Sequence, residues 1–203
     1  MIEERKYTEK EIAIFNGLID LIKNGYNPYT IKVSDIAKSA DVGKGTIYDY
    51  FDSKEEAISK AILYYMEKEV QASYLRIISK KTFKDKYYEL LFIIKDSFEN
   101  NLSIYNLLFS SGIREFYEHL VDKECSISRF THMANAVIKD LIDTGVKEGV
   151  IIIDKEDLYY LTMAVKGSIA GFSHYMNRKD SYKQISVEKA MDTAFNILLK
   201  TLN

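Results

Sequence analysis

Residues Val33 to Glu55 read Val-Ser-Asp-Ile-Ala-Lys-Ser-Ala-Asp-Val-Gly-Lys-Gly-Thr-Ile-Tyr-Asp-Tyr-Phe-Asp-Ser-Lys-Glu. A short helix carrying Val33, Ile36, Ala37 and Ala40 runs into the corner Asp41-Val42-Gly43. A second short helix follows from about Lys44 to Tyr50. Ser53 and Glu56 then form an S-x-x-E capping box, in which two orphan backbone groups are satisfied at the start of a longer helix. The corner has its own logic. Asp tolerates the left-handed conformation better than most non-glycine residues, and the apolar Val42 plugs the small core between the two helices. Short helix, tight turn, short helix, long helix is the order of a helix-turn-helix, which puts one helix in the DNA major groove.

Upstream, Thr8 and Glu11 form a T-x-x-E helix start, and Ile12, Phe15, Leu18, Ile19 and Ile22 recur at helical spacing behind it. Asn24-Gly25 closes that helix and Asn27-Pro28 turns the chain. Downstream, Ala57, Ile58, Ala61, Ile62 and Tyr65 stripe the long helix that starts at Ser53. Past residue 80 or so the chain turns aromatic. Further helices are expected, one through Phe130, Met133, Ala134, Val137 and Leu141, ended by Gly145 and Gly149. Val150–Ile153 is read as an apolar linker because no partner strand is visible. Asp154 caps a helix with Leu158, Leu161, Val165, Ile169 and Phe172, and a last helix carries Val187, Met191, Phe195, Leu198 and Leu202.

A single proline and no tryptophan in 203 residues suit a mostly helical chain, since proline interrupts helix interiors. The lone Cys125 has no intramolecular partner, the first ten residues are strongly charged, and no apolar run is long enough to span a bilayer. A cytoplasmic setting is therefore the expectation, with no membrane partner. Charge argues the other way from the motif. The net charge is -2, and residues 1–60 carry more acids than bases, so no basic patch announces nucleic acid. Local placement has to supply it, and Lys44 and Lys54 bracket the second short helix.

Val33, Ile36, Ala37, Ala40, Val42, Lys44, Gly45, Thr46, Ile47, Tyr48, Tyr50, Phe51, Lys54 and Glu55 resemble the N-terminal signature of the TetR-like (tetracycline repressor) family of bacterial transcriptional regulators. The motif spans roughly a tenth of the chain; over the rest the resemblance is architectural. It implies an all-α protein of about nine helices. Residues 1–53 would be a three-helix helix-turn-helix DNA-binding domain, and residues 54–203, entered through the long helix, a helical ligand-binding and dimerisation domain. The implied partners are double-stranded DNA, a small-molecule effector of unknown identity and a second copy of the chain, with no cofactor.

Gly43 and Gly45 leave the start of the second helix uncluttered, so backbone N–H groups can meet a phosphate. Lys44 can reach a base edge or a phosphate, and Thr46 offers a hydroxyl and a methyl. Lys44, Gly45 and Thr46 are assigned to the base side. By resemblance, Tyr48, Tyr50 and Lys54 contact backbone phosphates and Ser34 lies near the DNA; such contacts fix register rather than sequence. Three positions depart from the family pattern. Asp41 and Gly43 stand where Gly and Ser are usual, Lys32 replaces a common Thr, and Asp49 puts a carboxylate in the recognition helix. That carboxylate repels phosphate, accepts from cytosine N4, or faces solvent.

In the second half, Gly167 and Gly171 sit four apart on one helix face and let another helix approach. By resemblance the last two long helices pair with their copies, with Gly167, Gly171, Phe172, Met191, Phe195 and Leu198 as interface candidates. Phe92, Tyr105, Phe109, Phe116, Tyr117 and Met133 are candidates for an apolar ligand pocket. His119, His132, His174 and Cys125 lack metal-ligand spacing, and Ser110-Ser111-Gly112 lacks a nucleophile's His/Asp context, so neither a metal site nor an enzyme is expected. The expected function is a ligand-responsive repressor that binds a palindromic operator as a dimer. The alternative is a helical binding or enzymatic module that keeps the helix-turn-helix only as scaffold.

Overall fold

The computed structural model describes residues 7–28, 30–99, 123–152 and 158–203. Among them the chain forms eight α-helices, one 3-10 turn and no strand. It divides into two compact units, and the changeover at Val70 and Gln71 falls inside one long helix.

The first unit starts with α1, Glu9–Lys23. Its capping box forms as the sequence specifies: the Glu11 amide donates to Thr8 Oγ1 at 3.2 Å and the Thr8 amide donates to Glu11 Oε2 at 2.8 Å. Asn24 caps the other end, and Gly25 follows at φ +86°. Then come α2, Val33–Ser39, α3, Lys44–Tyr50, and the start of α4, Lys54–Ile78. Helices as short as α2 and α3 are not stable alone. They are held by a shared core of Phe15, Leu18, Ile36, Ile47, Phe51 and Ile58, all essentially inaccessible. The Phe15 ring lies 5.7 Å from Phe51 and 5.2 Å from Tyr64. Gly17 lets α1 and α2 touch backbone to backbone, and Ser39 Oγ donates to the Gly17 carbonyl at 3.0 Å.

The second unit contains α5, Phe83–Glu99, most of α6, Lys123–Lys147, and α7, Leu158–Asn177. A 3-10 turn, Lys179–Tyr182, leads to α8, Val187–Leu202, which Ser186 caps by accepting from the Lys189 amide at 3.1 Å. Leu91, Leu141, Leu161, Val165, Phe172, Leu198 and Leu202 form its core. Buried polar groups in it are paired, as they must be. Tyr87 donates to Ser168 Oγ at 2.8 Å, and the Ser168 hydroxyl in turn donates to the Val165 carbonyl at 2.8 Å. Lys86 pairs with Asp140, and Glu89 receives both Arg76 at 2.6 Å and Lys80 at 3.0 Å.

Two expectations about glycines divide here. Gly149, at φ +69°, follows the end of α6 as expected. Gly145 does not mark an end: it lies inside the helix, where an added Cβ would sit 2.7 Å from Ile151 and 2.8 Å from Phe83. Its carbonyl accepts from the amides of Val150 and Ile151, which fold the linker back onto the helix end rather than into a strand. Ile153 and the Asp154 cap lie outside the described residues.

Candidate nucleic-acid interface

The corner between α2 and α3 is fixed by backbone geometry. The Ala40 amide donates to the Ile36 carbonyl and the Val42 amide to the Ala37 carbonyl, both at 2.9 Å. Asp41 itself adopts φ +52°, the left-handed conformation usually left to glycine. Gly43 is the N-cap of α3 at φ -70° and ψ 150°, a conformation open to any residue. The exchange of Gly and Ser for Asp41 and Gly43 therefore leaves the turn in place, with Asp41 bearing the strained φ. Val42 is half-buried, so it covers the corner rather than filling it.

Phe51 ends α3. It turns to extended backbone at φ -136°, buries its ring, and lies 5.5 Å from Lys60 Nζ. The next helix start departs from a simple capping box. The Glu56 amide donates to Ser53 Oγ at 3.0 Å, but the Glu56 carboxylate accepts from the Asp52 amide at 2.6 Å and pairs with Lys60 at 2.6 Å. Burial pushes the Glu56 carboxyl up, yet the Lys60 and backbone hydrogen bonds together hold it below its ordinary value. This knot fixes where α4 begins relative to α3.

Ile47 is fully buried and sets which side of α3 faces inward. Lys44, Gly45, Tyr48 and Asp49 are exposed, Tyr48 to 58%. Thr46 and Tyr50 are half-buried at the edges, as is Ser34 on α2. Lys54, at the first position of α4, is partly covered and lies 3.4 Å from the Glu55 carboxylate. The seven residues expected to meet DNA thus occupy one short stretch from α2 to the start of α4. Two further residues in this stretch are exposed. Lys32 is the exposed N-cap of α2, and its side chain cannot accept the hydrogen bond that a Thr would. Asp49 is exposed, and its carboxylate has no ion-pair partner among the described residues.

The second unit requires corrections. Phe172, Met191, Phe195 and Leu198 are buried within the unit's own core, so they cannot form the exposed face of a single chain. They share a helical period with the true surface positions, and burial, not period, separates the two sets. Gly167 and Gly171 do lie on an open face, with nothing within 4 Å of an added Cβ. They border an open apolar groove of about 300 Å³ between α7 and α8, together with Thr193, Ala194 and Ile197. Phe92, a candidate for the pocket, is 44% exposed. Met133 is half-buried. Tyr105, Phe109, Phe116 and Tyr117 lie outside the described residues, as do His119 and Ser110-Ser111-Gly112. Among the described residues no cluster of His, Cys, Asp or Glu could hold a metal, and no helix is long and apolar enough to cross a membrane.

Residues 21–61, from the last turn of α1 into α4, match the family model of bacterial regulatory proteins, tetR family. No curated protein matches the chain. Among solved structures, a TetR transcription regulator from Haloarcula marismortui aligns at TM-score 0.63 and 17% identity, covering 97% of this chain and 100% of that one. The fatty acid degradation regulator FadR from Bacillus halodurans aligns at TM-score 0.53 and 16% identity, covering 98% and 97%. FadR from Bacillus subtilis, solved in complex with stearoyl-CoA, aligns at TM-score 0.51 and 20% identity, covering 95% and 97%. Residues 21–61 thus resemble the helix-turn-helix region of the tetR family of bacterial regulatory proteins, and the chain as a whole takes the fold of solved TetR-family regulators.

Proposed function

We propose that the chain is a ligand-responsive repressor that binds a palindromic DNA operator as a homodimer. One observation carries the reading: α3 is anchored from below by fully buried Ile47 while Lys44, Gly45 and Tyr48 face outward. Two copies would set their α3 helices in successive major grooves roughly 34–36 Å apart, so the operator is expected to have two-fold symmetry. Lys44, Gly45 and Thr46 read bases; Tyr48, Tyr50, Lys54 and Ser34 position the backbone. The dimer face is the open side of α7 and α8, with Gly167, Gly171, Met163 and Ile197 outermost. Met163 and Ile197 are large apolar side chains about half-exposed, which favours cover by a partner.

Release follows from differential binding. A small molecule that prefers the conformation with wrongly spaced α3 helices shifts the population away from DNA, with a coupling of about 1–3 kcal/mol. The continuous α4 is the proposed lever, because it starts beside α3 and runs into the second unit. Acyl-CoA thioesters are the first effectors to test, since the Bacillus subtilis relative was solved with stearoyl-CoA. Such a protein works in the cytoplasm and carries out no reaction of its own.

The test is a gel shift with DNA upstream of the protein's own gene across several salt concentrations. A specific complex whose affinity falls as salt rises supports the reading. Absence of a complex at every salt concentration favours the scaffold alternative. Lys44→Ala should relax sequence choice, whereas Lys54→Ala should weaken all sequences alike and flatten the salt dependence. Equal loss of specificity in both variants contradicts the division of roles. Addition of stearoyl-CoA should release the complex; retention at saturating ligand removes that effector class.

A further inference from the structure

We propose that Asp49 is a specificity-determining residue that accepts a hydrogen bond from a cytosine amino group in the major groove. The inference rests on the DNA-binding reading and goes beyond it, by naming the base and the atom read.

The argument begins with the helix wheel. Buried Ile47 defines the inward direction of α3. Gly45 and Asp49 stand two residues on either side of it and so project about 160° away, at the middle of the outward face. Lys44 and Tyr48 lie to one side of that midline, and Thr46 and Tyr50 to the other. In a groove, the midline of an inserted helix faces the base edges most directly, while flank side chains meet the phosphate walls or, near the helix N-terminus as at Lys44 and Thr46, reach across to bases. Gly45 carries no side chain and nothing lies within 4 Å of its added Cβ. Asp49 is therefore the side chain that stands on the midline.

Nothing in the protein rewards a carboxylate there. It has no cation partner among the described residues. It also occupies the last turn of α3, where the helix dipole disfavours negative charge. Between two rows of phosphates it is repelled, unless it finds a donor. The floor of the major groove offers two amino donors, cytosine N4 and adenine N6. Beside adenine N6 lies the N7 acceptor, which repels a carboxylate oxygen. Cytosine is the base that matches. An Asn at the same position has a donor as well as an acceptor, which suits the adenine N6/N7 pair instead.

The experiment is selection from a randomised duplex library by the full-length chain, in wild-type, Asp49→Asn and Asp49→Ala forms, followed by titration on the selected duplexes. The wild type should enrich a C·G pair at one fixed position of each half-site, and replacing that pair should weaken binding about tenfold. Asp49→Ala should lose the preference at that position alone, and Asp49→Asn should move it toward adenine. If the variants tighten binding to every sequence alike, the carboxylate only repels and the proposal falls. It falls equally if all three forms select the same motif. If the wild type enriches no sequence, the DNA-binding reading itself fails, a result distinct from a motif that ignores Asp49. Since Asp49 is exposed, all three forms should melt cooperatively, and this separates altered reading from lost folding.

Discussion

Gly17→Ala tests whether the α1–α2 contact aims the recognition helix. A Cβ at residue 17 would lie 2.8 Å from the Ala40 amide nitrogen and 3.0 Å from Ala40 Cα and the Ser39 carbonyl carbon. Ordinary contact begins at 3.4 Å, so the end of α2 must retreat by about 0.6 Å. The obstacle is backbone, which cannot rotate aside like a side chain. Such overpacking costs about 1–3 kcal/mol. Replacing Gly by Ala inside a helix returns about 1 kcal/mol of propensity. The net is a loss of about 0–2 kcal/mol, or a few degrees of melting temperature for a chain of this size. The loss in DNA binding should be larger than this stability change implies, because Ala40 leads directly into the corner that places α3. Thermal melting and anisotropy titration on the selected duplex measure the two effects separately. Gly167→Ala is the control: it meets open space within its own chain, so by propensity it should be neutral or stabilising when measured on the monomer. A Gly17→Ala protein that melts higher than wild type and binds DNA unchanged would refute the close-contact argument.

The corner and caps give further predictions. Asp41→Gly should be neutral or stabilise by up to about 1 kcal/mol, and Gly43→Ser should add a few tenths by capping α3; a loss above about 1 kcal/mol in urea melts of either would contradict the assigned φ values. Lys32→Thr should raise stability by about 1 kcal/mol, because the Asp35 amide gains a side-chain acceptor while Asp35 already holds the residue 32 amide at 3.2 Å. In the second unit, burial pushes the Tyr87 hydroxyl up to about 12 from 10, with the Ser168 hydrogen bond a smaller opposing effect. The folded state therefore disfavours the phenolate. That contribution is complete below pH 10 and is lost as pH rises from 10 toward 12, by about 2–3 kcal/mol. Tyr87→Phe should remove this part of the alkaline loss in chemical denaturation, and an unchanged alkaline slope would count against the burial argument.

The N-terminal half was legible because its signals are local. The Thr8–Glu11 box, the Asn24-Gly25 stop, Asp41 in the corner and the span of α3 are each set by residues within four positions of one another. Signals that depend on what lies across the fold were not legible. Gly17 looks like an ordinary weak point in a helix until α2 is seen against it. Gly145 resembles a helix end because its reason, the side chains of Ile151 and Phe83, is a tertiary one. Phe172, Met191, Phe195 and Leu198 follow the same helical period as surface residues of α7 and α8, and a sequence cannot say which apolar stripe faces its own core and which faces a partner. Glu56 was placed correctly as a capping residue, but the position it satisfies is Asp52 rather than Ser53.

Charge shows best why placement outranks composition. The first sixty residues hold more acids than bases, which by itself argues against a polyanionic partner. Several of those acids are committed to local work. Glu11 accepts from the Thr8 amide, Asp35 from the Lys32 amide, and Glu56 from the Asp52 amide and Lys60. A carboxylate that holds a helix start has part of its field absorbed by the amides it meets, since the helix N-terminus is the positive end of the dipole. Each of these acids therefore projects less negative potential toward a duplex than its formal charge suggests. Glu55 differs, because it lies 3.4 Å from Lys54 and draws on a cation assigned to phosphate. The outward face of α3 carries one lysine and one acid, so net attraction there is nearly nil. Affinity from such a surface must come from hydrogen bonds made at fixed positions and from doubling the contacts across two copies, rather than from a basic field. On the proposed DNA-binding reading, such a protein gains little from non-specific DNA, and sequence reading by individual side chains on α3 becomes its main source of discrimination.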